Sequence, residues 1–278
     1  MCAASVTGLG CGDDDSTGSD AGDDGGGPAD TIALFAPTED PMPFGAVPFP
    51  DDLYLNEAGR VALGTYPNEE MAFLAPEYPA GLREGMLELD GFGVTAPVYF
   101  PVSGPIDPAS LPAEGASLVP GAGVFLVDAN PGSPTAFARI PTVAKWLPRH
   151  NLIAVRPANG FVLTPGNAYA AVLTRVVLDA SGRPLGASAS FLQVRDAEMP
   201  LDSALLEEAR GRVRPVLSSL TDIVAQDIVC MAVFRTQTIV DELQAARDQI
   251  WAEDPPVVTI DEVLSGEALD ARLGAPVD

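Results

Sequence analysis

A run of β-branched and aromatic residues, Tyr169 to Asp179 (YAAVLTRVVLD), constrains this chain more than any other stretch in it. It is entered through Pro165, Gly166 and Asn167. It leaves through Ala180, Ser181 and Gly182, small and polar residues that supply the left-handed backbone of a turn. In an extended strand Ala170, Val172, Thr174, Val176 and Leu178 fall on one face. Tyr169, Ala171, Leu173, Arg175 and Val177 fall on the other. Both faces are mainly apolar at the centre, so the strand needs cover on both sides. Ser188 to Val194 reads as the second strand of a pair. A strand pair is not stable alone in water and requires another layer.

The rest of the chain offers that layer. Val98, Phe100 and Val102 alternate as a strand, ended by Gly104-Pro105 and Asp107-Pro108. Gly123 to Asp128 (GVFLVD), Asn151 to Arg156 (NLIAVR) and Ile228 to Thr238 (IVCMAVFRTQT) read as further strands. Strands recurring between turn signals predict a mainly β fold, an immunoglobulin-like sandwich of Greek-key type over residues 31–256. After Pro200 the period changes to that of a helix near 202–221. There Leu205, Leu206, Ala209, Val213, Val216, Leu217 and Leu220 share a face, and Asp202 or Ser203 is the N-cap. Pro215 falls inside this pattern and predicts a kink or a break. A second amphipathic helix is expected near 240–252, and short helices over Asn68–Leu74 or Ala80–Leu89. Residues 257–278 read as the opening of a further segment that is cut off.

Charge narrows the function classes. With 39 acidic and 15 basic residues the formal net charge is −24, which argues against nucleic acid or anionic membrane surfaces as partners, because phosphate binding needs clustered Lys and Arg. No apolar run is long enough to cross a membrane as a helix. The three cysteines, Cys2, Cys11 and Cys230, make neither a disulfide framework nor a zinc site. Cys230 lies in an apolar run and reads as a small core side chain rather than a reactive thiol.

Gly8-Leu9-Gly10-Cys11, followed at once by GDDDSTGSDAGDDGGGPAD, resembles a bacterial lipobox ahead of a flexible linker. Cys11 is therefore the lipidation candidate, and the expected location is the bacterial cell envelope, lipid-anchored, or outside the cell. Gly8 stands where Leu is usual, and no basic or long apolar leader precedes it, so either the true start lies upstream of Met1, the preferred reading, or the resemblance is accidental. The acidic stretch at 12–30 lacks the alternate ligands, central Gly and distal Glu of a helix-loop-helix calcium site. It reads as a disordered tether.

Four stretches together carry a family resemblance: PFPDDLYL (Pro48–Leu55), LDGFGVTAPVYFPVSGPIDPASL (Leu89–Leu111), LTPGNAYAAVLTRVVLDASGRPL (Leu163–Leu185) and VFRTQT (Val233–Thr238). They resemble the N-terminal region of bacterial lipase-like lipoproteins, the bacterial virulence factor lipase N-terminal family. The resemblance covers roughly residues 32–250 and implies a module that precedes a catalytic α/β-hydrolase domain. This chain lacks the chemistry of that domain. It has no G-x-S-x-G nucleophile turn, and its one histidine, His150, lies in the polar turn PRHN ahead of any nucleophile. His150 thus reads as a surface turn residue, not a catalytic base.

Asp51-Asp52 and Asp90 read as turn carboxylates at strand ends rather than acid–base pairs. Trp146 and Phe161 read as core packing before an apolar groove. No catalytic, cofactor-binding or metal residue is assigned, and no cofactor is implied. The expected function is a non-catalytic spacer, or a substrate- or partner-orienting module, of an exported lipase-like lipoprotein. Its partners would be a downstream hydrolase domain, or a surface protein or polysaccharide, and no nucleic acid. The alternatives are a free-standing surface-binding module and an unrecognised ester hydrolase.

Overall fold

The computed structural model describes residues 31–38, 42–62, 81, 84, 85, 87–254 and 260–274. The lipobox-like segment with Cys11, the acidic tether, the Asn68–Leu74 candidate helix and residues 80, 82, 83 and 86 of the Ala80–Leu89 candidate lie outside them.

Nine strands are described: β1 (Ile32–Ala33), β2 (Val98–Pro101), β3 (Val124–Asp128), β4 (Arg139–Ile140), β5 (Thr142–Leu147), β6 (Leu152–Pro157), β7 (Ala168–Thr174), β8 (Gly186–Ala187) and β9 (Ile228–Arg235). Four helices accompany them: α1 (Ala189–Asp196), α2 (Ala204–Ser219), α3 (Asp241–Ala252) and α4 (Glu267–Leu273). One antiparallel sheet has the order β4-β3-β7-β9, a second has β2-β6-β5, and β1 pairs with β8 in parallel.

β7 is the centre of the molecule, as its two apolar faces require. Tyr169 to Thr174 are all buried, and so is every residue of β3 beside it. A single hydrophobic cluster joins both antiparallel sheets to α1 and α2, with Phe100, Phe125, Ile153, Leu173, Phe191 and Phe234 among its largest members. Burying each such side chain contributes on the order of 2 kcal/mol, which explains why this cluster and no local propensity decides the fold.

Three expectations need correction. The strand of Tyr169–Asp179 stops at Thr174, where its register with β9 shifts. There Arg175 N–H bonds Asp227 O at 2.8 Å, drawing the chain away from the sheet. Asp179 then closes a turn by accepting the N–H groups of Ser181 (2.8 Å) and Arg183 (3.0 Å), with Gly182 at φ 80°.

The expected return strand Ser188–Val194 is helix α1. Ser188 caps it, accepting Phe191 N–H at 3.2 Å, and Phe191 and Val194 bury one face at a spacing of three. Finally, Pro215 does not break α2, which runs from Ala204 to Ser219 with Ser203 as its N-cap. Helices hold about as many residues as strands among those described, so the fold is mixed and sheet-rich rather than mainly β. Nearly half of that helix is peripheral: α3 and α4 contain no buried residue.

Candidate functional site

The sharpest chemistry lies where the Pro48–Leu55 segment meets the outer edge of β9. Among the described strands β9 pairs on one side, with β7, so alternate N–H groups on its other side need acceptors. Two consecutive carboxylates supply them. Asp51 Oδ2 accepts Val233 N–H at 3.1 Å, and Asp52 Oδ1 accepts Arg235 N–H at 2.8 Å. Asp51 Oδ1 also accepts Leu53 N–H at 2.9 Å, capping the 3-10 turn Asp52–Tyr54. Asp52 Oδ2 takes two guanidinium donors, Arg212 Nη1 from α2 and Arg235 Nε from β9, each at 3.1 Å. Arg212 is held in turn by Glu208 Oε1 at 2.7 Å.

Burial sets the electrostatics. Desolvation pushes the Asp51 carboxyl up to about 7; its two backbone N–H bonds and Arg212 pull the other way, and Asp52 adds to the rise. Cys230 lies near enough to feel Asp51, and burial drives its thiol well above the ordinary range. It is a buried free thiol. Burial likewise pushes Tyr54 up to about 12; its hydroxyl donates to Val47 O at 2.9 Å and accepts Gly45 N–H at 3.1 Å. A cleft of about 690 Å3 opens alongside, lined by Leu53, Leu55, the Asn56–Gly59 turn, Leu205, Glu208 and both arginines.

A carboxyl poised near neutrality is what a general base needs. Here, however, both of its oxygens are taken by backbone N–H groups, and the arginines that face the cleft are tied to Asp52. The arrangement fastens one segment to another.

A second buried carboxylate, Asp128, sits at the end of β3. It accepts Ser133 Oγ–H at 2.5 Å, Thr135 Oγ1–H at 2.7 Å, Asn130 N–H at 3.0 Å and Asn167 Nδ2–H at 3.0 Å. Asn167 N–H bonds Thr236 Oγ1 at 3.0 Å, and that hydroxyl donates to Thr164 O at 2.6 Å. Asp90 closes the same end of β9, accepting Thr238 N–H at 2.9 Å and Thr238 Oγ1–H at 2.6 Å.

The other sequence candidates are scattered. His150 is exposed in the Pro148–Asn151 turn of the β5–β6 hairpin, its N–H bonding Leu147 O at 3.2 Å. Trp146 is half-buried against the core, whereas Phe161 is 49 % exposed on a loop and not in the core. Arg212 and Arg235 carried no sequence signal as partners of Asp52, since they lie more than a hundred residues away. Asp128 did carry one: DANPGSPT is the composition of an Asx turn followed by hydroxyl donors.

No family model matches the chain, and no curated protein matches it. Two solved structures show a partial likeness. One is a crystal structure of the S-layer protein rSbsC(31-844), 13% identical over 40% of this chain and 14% of that one, with a TM-score of 0.23. The other is the surface layer protein SbsC, domains 1-6, 13% identical over 39% of this chain and 14% of that one, again at 0.23. A likeness at that score carries no argument about fold or role.

Proposed function

We propose that this chain is a non-catalytic, immunoglobulin-like module of an exported, lipase-like bacterial lipoprotein, anchored through Cys11. It spaces or orients a hydrolase domain rather than performing hydrolysis. One observation carries the reading: the stretches that resemble the lipase N-terminal family converge on one joint. VFRTQT, the end of β9 and the residues after it, is gripped by Asp51 and Asp52 of PFPDDLYL. Asp90 and Phe92 of LDGFG bind Thr238, Arg235 and Gln237. Thr164 and Asn167 of LTPGNAY bind Thr236. The stretches that carry the resemblance are thus engaged with one another.

Two measurements test this. Purified residues 31–278 should give no turnover of short-chain p-nitrophenyl esters above the uncatalysed rate; hydrolysis removed by a single Ser→Ala change would overturn the reading. An immunoblot of source-cell membranes should show a band well above 28.8 kDa. A membrane-bound band at that size would favour a free-standing binding module instead. The neighbouring Phe161 and Val162, 49 % and 64 % exposed, would then be the loop surface to examine first.

A further inference from the structure

The segment Asp51–Ala62 forms a small arm of its own. Leu55 bridges Val61, Ala62 N–H bonds Tyr54 O at 2.7 Å, and Asn56 N–H bonds Arg60 O at 2.8 Å. The base of the arm is fixed: Phe49 exchanges backbone bonds with Tyr99 and meets Tyr54 and Phe92 edge to face, with ring centroids at 5.4 and 5.6 Å. The polar attachment of the arm to β9 is the carboxylate pair. The cleft of about 690 Å3 lies between the arm, α2 and β9, so water reaches the outer side of this attachment.

We infer that Asp51 is a proton-operated latch fastening this arm to the outer edge of β9, tight when the carboxyl is protonated and looser when it is ionised. Ionised Asp51 keeps its N–H bonds but lacks the water its charge requires, and two backbone donors do not replace a hydration shell. Freeing the arm returns the carboxyl to water, where it ionises in the ordinary carboxylate range, so opening becomes easier as pH rises from that range towards the closed-form value.

The surrounding groups do not blur the transition. From the arm itself Asp52 and Tyr54 face Asp51; from β9, Cys230 and, through Asp52, Arg235; from α2, Arg212 with Glu208 behind it. Burial keeps the Tyr54 hydroxyl and the Cys230 thiol neutral through the physiological range. The folded-state value is raised, so by linkage the stabilisation is complete in acid and lost as pH climbs to about 7. The inference holds whether or not the chain belongs to a lipase-like parent.

Native-state amide exchange on the full chain tests it. After correction for intrinsic rates, the opening constant at the Leu53, Val233 and Arg235 amides should rise about tenfold per pH unit between pH 5 and 7, then level off. In Asp51→Asn the same amides should show no such rise. A flat profile in the unaltered protein, or an equal slope in the variant, overturns the latch. If the variant does not fold, carbon NMR of the Asp51 carboxyl in the unaltered protein decides. A midpoint near 7 supports the latch, and one in the ordinary carboxylate range overturns it.

Discussion

Asp51, against the outer edge of β9, and Asp128, at the end of β3, each expose 3 % of their surface, and each is a hydrogen-bond hub. Their proton affinities nevertheless move in opposite directions. For both, desolvation is the largest single influence and raises the value. At Asp128 the hydroxyls of Ser133 and Thr135, the N–H of Asn130 and the amide of Asn167 together outweigh it, and the carboxyl is held below its usual range. At Asp51 two backbone donors do not, and the value climbs to about 7. Asp128 is covered by its own turn, close to solvent; Asp51 lies deep between the arm and β9. Hiding a charge is thus neither stabilising nor destabilising in itself. The number of donors and the depth of cover decide the sign.

The two sites contribute to stability at opposite ends of the pH scale. The depressed Asp128 contributes stability above the unfolded carboxylate range, and that contribution is lost as pH falls. The raised Asp51 contributes in acid and loses its contribution as pH rises to about 7. The largest expected effect comes from breaking the better-donated site. Asp128→Ala takes the acceptor from the buried Asn167 amide, the half-buried Asn130 N–H and the Ser133 and Thr135 hydroxyls, and should cost about 3 kcal/mol in urea denaturation at neutral pH. A loss below about 1 kcal/mol would mean water replaces the carboxylate freely.

The second effect is the slope itself. Between pH 5 and 7 the unfolding free energy should fall by about 1.4 kcal/mol per unit on account of Asp51, and Asp51→Asn should flatten it. An unchanged slope in that variant would assign the titration to other groups.

Third, Gly91→Ala tests the joint that both sites share. A Cβ there would lie 2.6 Å from the Thr236 carbonyl carbon and 2.7 Å from Gln237 N. Displacing that backbone should lower stability by about 2 kcal/mol and disturb amide shifts at Asn167 and Phe92 alike. Disturbance confined to one of them would separate the sites. Smallest, Thr135→Val removes one donor from Asp128; stability should drop by about 1 kcal/mol and the carboxyl should move back toward its ordinary range by NMR titration.

The core strands were legible in the sequence because both-face burial leaves continuous apolar runs, as in Phe125–Val127 and Ala170–Leu173. Helix α2 was legible from its spacing and cap. Helix α1 was not: in a seven-residue window, Phe191 and Val194 fit a buried helix face, yet the segment also passes for a strand after a turn. β5 was missed because Lys145 and the half-buried Trp146 break its alternation; the strand forms because β6 pairs with it along its whole length. Asp51 and Asp52 were correctly placed in a turn, but their depth was invisible. It depends on β9 and α2, whose contributions come from residues 212 to 235, and no local pattern reports so distant a cover.

The two tryptophans divide the molecule optically. Trp146 lies half-buried on β5, while Trp251, 77 % exposed on α3 under the Arg247 guanidinium at 5.2 Å, belongs to a helix with no buried residue. An isolated helix of twelve residues is marginal in water. The red side of the indole emission therefore reports α3 and is open to acrylamide, and the blue side reports the sheet body. Two-colour fluorescence on heating should show the red component melting first, with no label attached.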